Sequence, residues 1–246
     1  MKHIISFTHS LLLMALLASS CEFGDEYETR MVPNYSDAPW QIHSKTNPHT
    51  DRDDYNMISS LMSGIDNIDQ FIALTTFPLR AGTTSRTYDK DTDVYQQLSE
   101  KHKDLKNPPF QLSSITQYLP SYPFSILDFV SLEVYAEEDF DAAHPAGSSL
   151  LDLLHYATTT PYRILNNNYQ AYFNTDALFK EQVQLFNTYQ LGTSVTASDM
   201  TIVNFMFLSF DKLPDPVAPK HIRIRLTADD GTRYDFETSL SFQTLN

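Results

Sequence analysis

HIRIRLTADDGTRYDFETSL, residues 221–240, alternates apolar with charged side chains on both sides of Asp229-Asp230-Gly231. Alternation of period two is the pattern of a half-buried strand, and Asp-Gly between two such runs marks a hairpin. Two loop lengths compete for the turn. A three-residue loop with Gly231 in the left-handed conformation sets Leu226 against Tyr234, Ile224 against Phe236, Arg225 against Asp235 and Arg223 against Glu237. A two-residue loop at Asp230-Gly231 would instead set Leu226 against Asp235 and Arg225 against Phe236. The first register gathers the apolar groups on one face and two opposite-charge pairs on the other, each pair contributing about 0.2–1 kcal/mol, and is the expected one.

Upstream of the hairpin, MTIVNFMFLSF at 200–210 is a nearly unbroken apolar run between Asp199 and the turn residues DKLPDP, which suits a central strand buried on both faces. Further strands are expected at Gln70–Leu79 and at Leu127–Tyr135, where Val130, Leu132 and Val134 should share one face and Ser131 and Glu133 the other. Two helices are candidates. Ser148-Ser149 with Asp152 can cap SLLDLLHY, and Asp176 can cap Ala177–Tyr189, a segment that reads equally well as a strand. Asp89–Leu105 is an inserted helix or a mobile loop. Several strands, a terminal amphipathic hairpin and no βαβ alternation predict a mainly β chain: an antiparallel β-sandwich, immunoglobulin-like, with short helical insertions.

Composition narrows the functional classes. The chain has 246 residues, 17 Lys+Arg against 31 Asp+Glu, a net charge of -14, 6 Gly and one Cys. The acidic balance disfavours nucleic acid. So few glycines leave no GxGxxG or Walker-type loop, which argues against a nucleotide or nucleotide cofactor.

The N-terminus reads as an address. MKHIISFTHSLLLMALLASS, residues 1–20, has Lys2, an apolar run from Leu11 to Leu17 and then small residues, the order of a signal peptide and too short for a bilayer span. It ends on Cys21. Small residues before a lone cysteine resemble a bacterial lipoprotein signal, which implies lipidation of Cys21 and attachment to a membrane through the lipid anchor. Glu22, Asp25, Glu26 and Glu28 follow, similar to the signal that sends Bacteroidota lipoproteins to the cell-surface face of the outer membrane. Residues 21–54, polar and broken by Pro33, Pro39 and Pro48, read as the lipidated cysteine and an acidic tether, with a short strand near Met31–Val32 and Trp40 too close to the tether to count on. Residues 55–246 read as a single β-rich domain.

DFDAAHPAGSSLLDLL at 139–154 and IRLTADDGTRYDFET at 224–238 together resemble an uncharacterised family of Bacteroidota lipoproteins, a domain of unknown function. The resemblance implies the location and a β-rich fold. It brings no catalytic or binding residues with it.

Two constellations carry possible chemistry. Asp139, Asp141 and His144 offer carboxylate oxygens and an imidazole to a divalent cation, although without the spacing of a known metal motif. The competing reading is a turn held by Asp141 and shaped by Pro145 and Gly147. In residues 156–173, Tyr162, Arg163, Asn167, Tyr169 and Tyr172 combine aromatic faces with amide and guanidinium donors, which suits a glycan. With Cys21 acylated, no thiol nucleophile exists, and no GxSxG elbow is present. The expectation is a non-enzymatic binding or scaffolding module for glycan or an envelope protein. Two alternatives stand beside it: a hydrolase using carboxylates on polysaccharide or peptide, and a fimbrial-type structural subunit.

Overall fold

The computed structural model describes residues 30–44, 71–76, 86–106, 123–168 and 187–242. Within them the chain is mainly β, with three sheets. In chain order the strands are β1 (Tyr35–Ser36), β2 (Gln41–Ser44), β3 (Phe71–Thr75), β4 (Thr87–Tyr88), β5 (Phe124–Ser125), β6 (Phe129–Ala136), β7 (Leu154–Thr159), β8 (Asn187–Leu191), β9 (Phe205–Phe210), β10 (Lys220–Ala228) and β11 (Arg233–Leu240). Helix α1 is Asp93–Lys101, and a five-residue turn of helix, α2, is Tyr162–Asn166.

The terminal hairpin adopts the expected register: Leu226 opposes Tyr234, Ile224 opposes Phe236, Arg225 opposes Asp235 and Arg223 opposes Glu237. Gly231 supplies the left-handed residue of the loop, with φ 86°. On its other edge β10 pairs with β6, so Ile222, Ile224 and Leu226 lie beside Ala136, Val134 and Leu132. All six are buried, and this row is one wall of the core.

A bulge corrects part of the reading of β6. The register shifts between Thr227 and Ala228, where Ala228 meets Phe129. The extra residue turns Val130 outward, 50 % exposed, and gives its inward place to the fully buried Phe129.

The second wall is a five-stranded antiparallel sheet in the order β2-β3-β9-β7-β8. β9 is central and buried along its whole length, as the apolar run predicted, although pairing starts only at Phe205. Ile72, Leu74, Tyr156, Met206, Leu208 and Phe210 from this sheet join the β6–β10 row in one core. Ser44 Oγ and Thr238 Oγ1, 2.8 Å apart, tie β2 to β11 across the two sheets.

Two helix expectations change. SLLDLLHY forms a single 3-10 turn at Leu151–Leu153 and then enters β7, because Leu154, Tyr156 and Thr158 alternate inward against β9. Tertiary pairing here overrides a short helical pattern. The segment Ala177–Tyr189 ends in β8, which starts at Asn187, and its remainder lies outside the described residues.

The larger correction concerns the tether. β2 is an edge strand of the main sheet, and Trp40 is 4 % exposed, edge-on to Phe129 with ring centroids 5.1 Å apart. Met31, Val32 and Tyr35 are fully buried with Tyr95, Phe124, Leu165 and Ile202 in a second core, beneath the small sheet β4-β1-β5 and α1. The fold therefore includes residues 31–44 and does not wait for Tyr55. Their prolines and polar residues concealed apolar side chains spaced too irregularly for a period to show.

Between Asp89 and Leu105 the chain forms a helix. Thr92 caps α1 by accepting the Tyr95 N–H, and Asp93 sits in its first turn. The helix holds the entering chain closely. Asp104, buried just beyond its end, accepts the Met31 and Val32 N–H groups, each at 3.0 Å, while Tyr95 Oη donates to Val32 O at 2.6 Å. Lys101 Nζ bridges Asp128 at 2.6 Å and Asp229 at 2.8 Å, joining the helix to the hairpin tip.

Candidate functional site

Residues 137–153 cross from β6 in one sheet to β7 in the other. Gly147 N–H donates to Ala136 O at 2.8 Å and Leu150 N–H to Val134 O at 2.9 Å, which lays the crossing along the edge of β6. Phe140, fully buried, fixes its middle: it stacks on Phe210 at 5.3 Å and meets Phe242 edge-on at 5.7 Å.

The polar residues of the crossing are tied to one another. Asp141 Oδ1 accepts the Ala143 and His144 N–H groups at 2.8 and 3.0 Å, the Asx arrangement of a tight turn. His144 Nδ1 lies 2.7 Å from that oxygen, and Lys212 Nζ lies 2.7 Å from the other one. His144 Nε2 in turn is 3.0 Å from Asp152 Oδ2. Close by, His155 Nε2 is 2.8 Å from Asp211 Oδ1, and the Asp211 N–H donates to Leu153 O at 2.7 Å. Asp141, His144, Asp152, His155, Asp211 and Lys212 thus gather where β7 starts and β9 ends.

This geometry sets the protonation. Both ring nitrogens of His144 face carboxylates, and both bonds form only if both nitrogens donate, which requires the imidazolium. The hydrogen bonds that His144 donates to Asp141 and then to Asp152 accordingly raise its pKa above its ordinary value. The Lys212 ammonium and then His144 hold the Asp141 carboxyl well below the usual carboxylate range. Asp152 and Asp211 remain 54 % and 59 % exposed and present an acidic surface to solvent.

The metal reading does not fit this arrangement. Asp141 and His144 are brought together, but both ring nitrogens of His144 already face Asp141 and Asp152, and Asp141 already holds a lysine. Asp139 Oδ1 accepts the Ala146 N–H at 2.8 Å, and its carbonyl accepts from Lys220 Nζ. Among the described residues, no group of three or more His, Cys, Asp or Glu is arranged to hold a metal ion. In the same crossing, Ser148 Oγ donates to Pro145 O, and Ser149 Oγ accepts the Leu151 N–H.

The tyrosine-rich segment divides differently from the expectation. Tyr156 is fully buried on β7, its hydroxyl donating to Asp199 O at 3.0 Å. Tyr162, at the start of α2, is half-buried against the second core. Arg163 follows it on α2, Asn167 is exposed beyond the helix, and Tyr169, Tyr172 and Cys21 lie outside the described residues. Asp152, His155, Asp211 and Lys212 escaped the sequence reading. Asp152 and His155 share a segment with the expected trio, but only the pairing of β7 with β9 brings Asp211 and Lys212 to them.

Comparison with protein-family models, with curated proteins and with solved structures gives no match.

Proposed function

We propose that the chain is an outer-membrane lipoprotein, anchored through Cys21 and exposed at the cell surface, whose β-rich domain is a non-enzymatic binding or scaffolding module. The observation that carries this reading is the strand order. Labelled A to G along the chain, β2, β3, β9 and β7 take places A, B, E and D of one sheet, and β6, β10 and β11 take C, F and G of the other. β8 is then an added edge strand. That connectivity supports an immunoglobulin-like sandwich, an architecture that presents surfaces and end loops on a rigid frame.

The charges agree with a module built for display. The outer face of the β6–β10–β11 sheet carries the row Glu133, Arg225, Asp235 and the row Tyr135, Arg223, Glu237, with Glu137, just past β6, also paired to Arg223. His144 holds the crossing in shape. With Tyr156 fully buried and Tyr162 half-buried, an envelope protein suits these charged surfaces better than a stacked sugar. The signal-like residues 1–20, the acidic run after Cys21 and the resemblance of residues 139–154 and 224–238 to Bacteroidota lipoproteins point in the same direction.

Protease shaving of intact cells tests the reading with wild type, Cys21→Ala and a variant whose acidic residues after Cys21 are neutralised. Loss of the wild-type band with protection of the neutralised variant is the expected result. Protection of the wild type, while a surface control is cleaved, overturns surface exposure.

A further inference from the structure

Arg30, where the described fold begins, stands nine positions after Cys21. A chain of that length reaches at most about 30 Å. If Cys21 is lipidated, the end of the domain that carries Arg30 stays within that distance of the bilayer. The same end is formed by the C-terminal turn of α1, since an Arg30 guanidinium nitrogen donates to Asp104 O.

That turn closes as a Schellman motif: Asp104 N–H donates to Ser99 O at 2.8 Å and Lys103 N–H to Glu100 O at 3.1 Å. Lys103 occupies its left-handed position, φ 58°, which glycine would adopt without steric cost. The motif sends Asp104 inward and leaves Lys103, Leu105 and Lys106 at the surface. Leu105, 51 % exposed, is the most exposed large apolar side chain among the described residues. A leucine bracketed by lysines is interfacial chemistry, with the apolar group entering the headgroup boundary and the ammonium groups meeting phosphate. It stands out on a chain of net charge -14.

We infer that Lys103, Leu105 and Lys106 at the end of α1 form a second membrane contact, made to phosphate-bearing lipid headgroups, that orients the domain on the bilayer. The inference rests on the lipoprotein reading. β6 and β10 run from this end to the crossing, so the contact turns His144, Asp152 and Asp211 away from the membrane, toward whatever the module meets.

The test is co-sedimentation of the unanchored Cys21→Ala chain with vesicles of phosphatidylcholine alone and of phosphatidylcholine mixed with phosphatidylglycerol. Binding to the mixed vesicles should exceed that to the neutral ones and fall about fivefold when Lys106 is replaced by glutamine. Lys103→Gly should weaken binding similarly while raising the thermal midpoint, which separates lost adhesion from lost folding. Equal sedimentation with the two vesicle types, or wild-type binding by Lys103→Gly and Leu105→Asp together, overturns the contact. Detergent-phase partitioning of wild type against Cys21→Ala from cells reads the anchor separately: wild type in the aqueous phase overturns lipidation, whatever the vesicles do.

Discussion

Replacing Asp104 by alanine tests whether the residues around Arg30 belong to the fold. The Asp104 carboxylate takes the Met31 N–H on one oxygen and the Val32 N–H on the other, each at 3.0 Å, and Met31 and Val32 are fully buried. Alanine strands both donors away from water. A buried donor left without a partner costs about 1–3 kcal/mol, so the variant should lose about 2–6 kcal/mol. A domain of this kind is stable by about 5–15 kcal/mol, so the loss is a large share of the total. Urea unfolding followed by tryptophan emission measures it cleanly, because Trp40 is the only tryptophan and packs edge-on to Phe129 in the main core. The midpoint should fall with little change of slope. Asp104→Asn keeps one acceptor oxygen and should lie between alanine and wild type. A midpoint for Asp104→Ala equal to that of wild type would refute the clamp and return residues 30–36 to a loose tether.

Deleting residues 22–44 removes Met31, Val32, Tyr35 and Trp40 from two cores; at about 1.5–3 kcal/mol for each buried side chain the truncated chain should lack a cooperative unfolding transition. Gly231→Ala should cost about 1 kcal/mol through backbone strain alone, since φ is 86° and an added Cβ meets nothing within 4 Å, and its thermal midpoint checks this. Phe140→Ala should cost about 3–5 kcal/mol and expose the crossing to proteolysis. For His144 the dependence is on pH. Its carboxylate partners exist only in the folded chain, so its pKa rises on folding; the stabilisation is complete below the ordinary value of about 6.5 and fades as pH climbs through the folded value. The urea midpoints of wild type and His144→Ala should therefore differ more at about pH 5.5 than at about pH 8.5, and a gap that widens with pH would contradict the network. Added salt should narrow it, because Asp152 stands in water.

The parts that the sequence revealed are those where local chemistry leaves one choice. The hairpin register was readable because only one pairing opposes Arg225 with Asp235 and keeps Ile224 and Leu226 inward. β9 was readable because an apolar run of that length has few other uses. The course of Val130 was not, since a bulge depends on the partner strand. Residues 31–44 were misread for a different reason: Tyr35, Trp40 and Ser44 reach three different environments, and no period links them. In the candidate site, Asp141 and His144 were singled out from proximity in sequence, whereas Lys212 and Asp211 arrive from the end of β9. Metal ligation and ion pairing use the same residue types, and only the placement of Lys212 and Asp152 distinguishes them.

The bond between Ser44 and Thr238 spans 194 positions of chain. Among the described residues, the first strand of the main sheet and the last strand in the chain are neighbours, so the core closes only when β11 is present. Contacts so distant in sequence slow folding. An exported chain that emerges from its N-terminus would spend its whole translocation without a finished core, with β2 waiting for β11. Its most vulnerable moment would come before its last strand arrives.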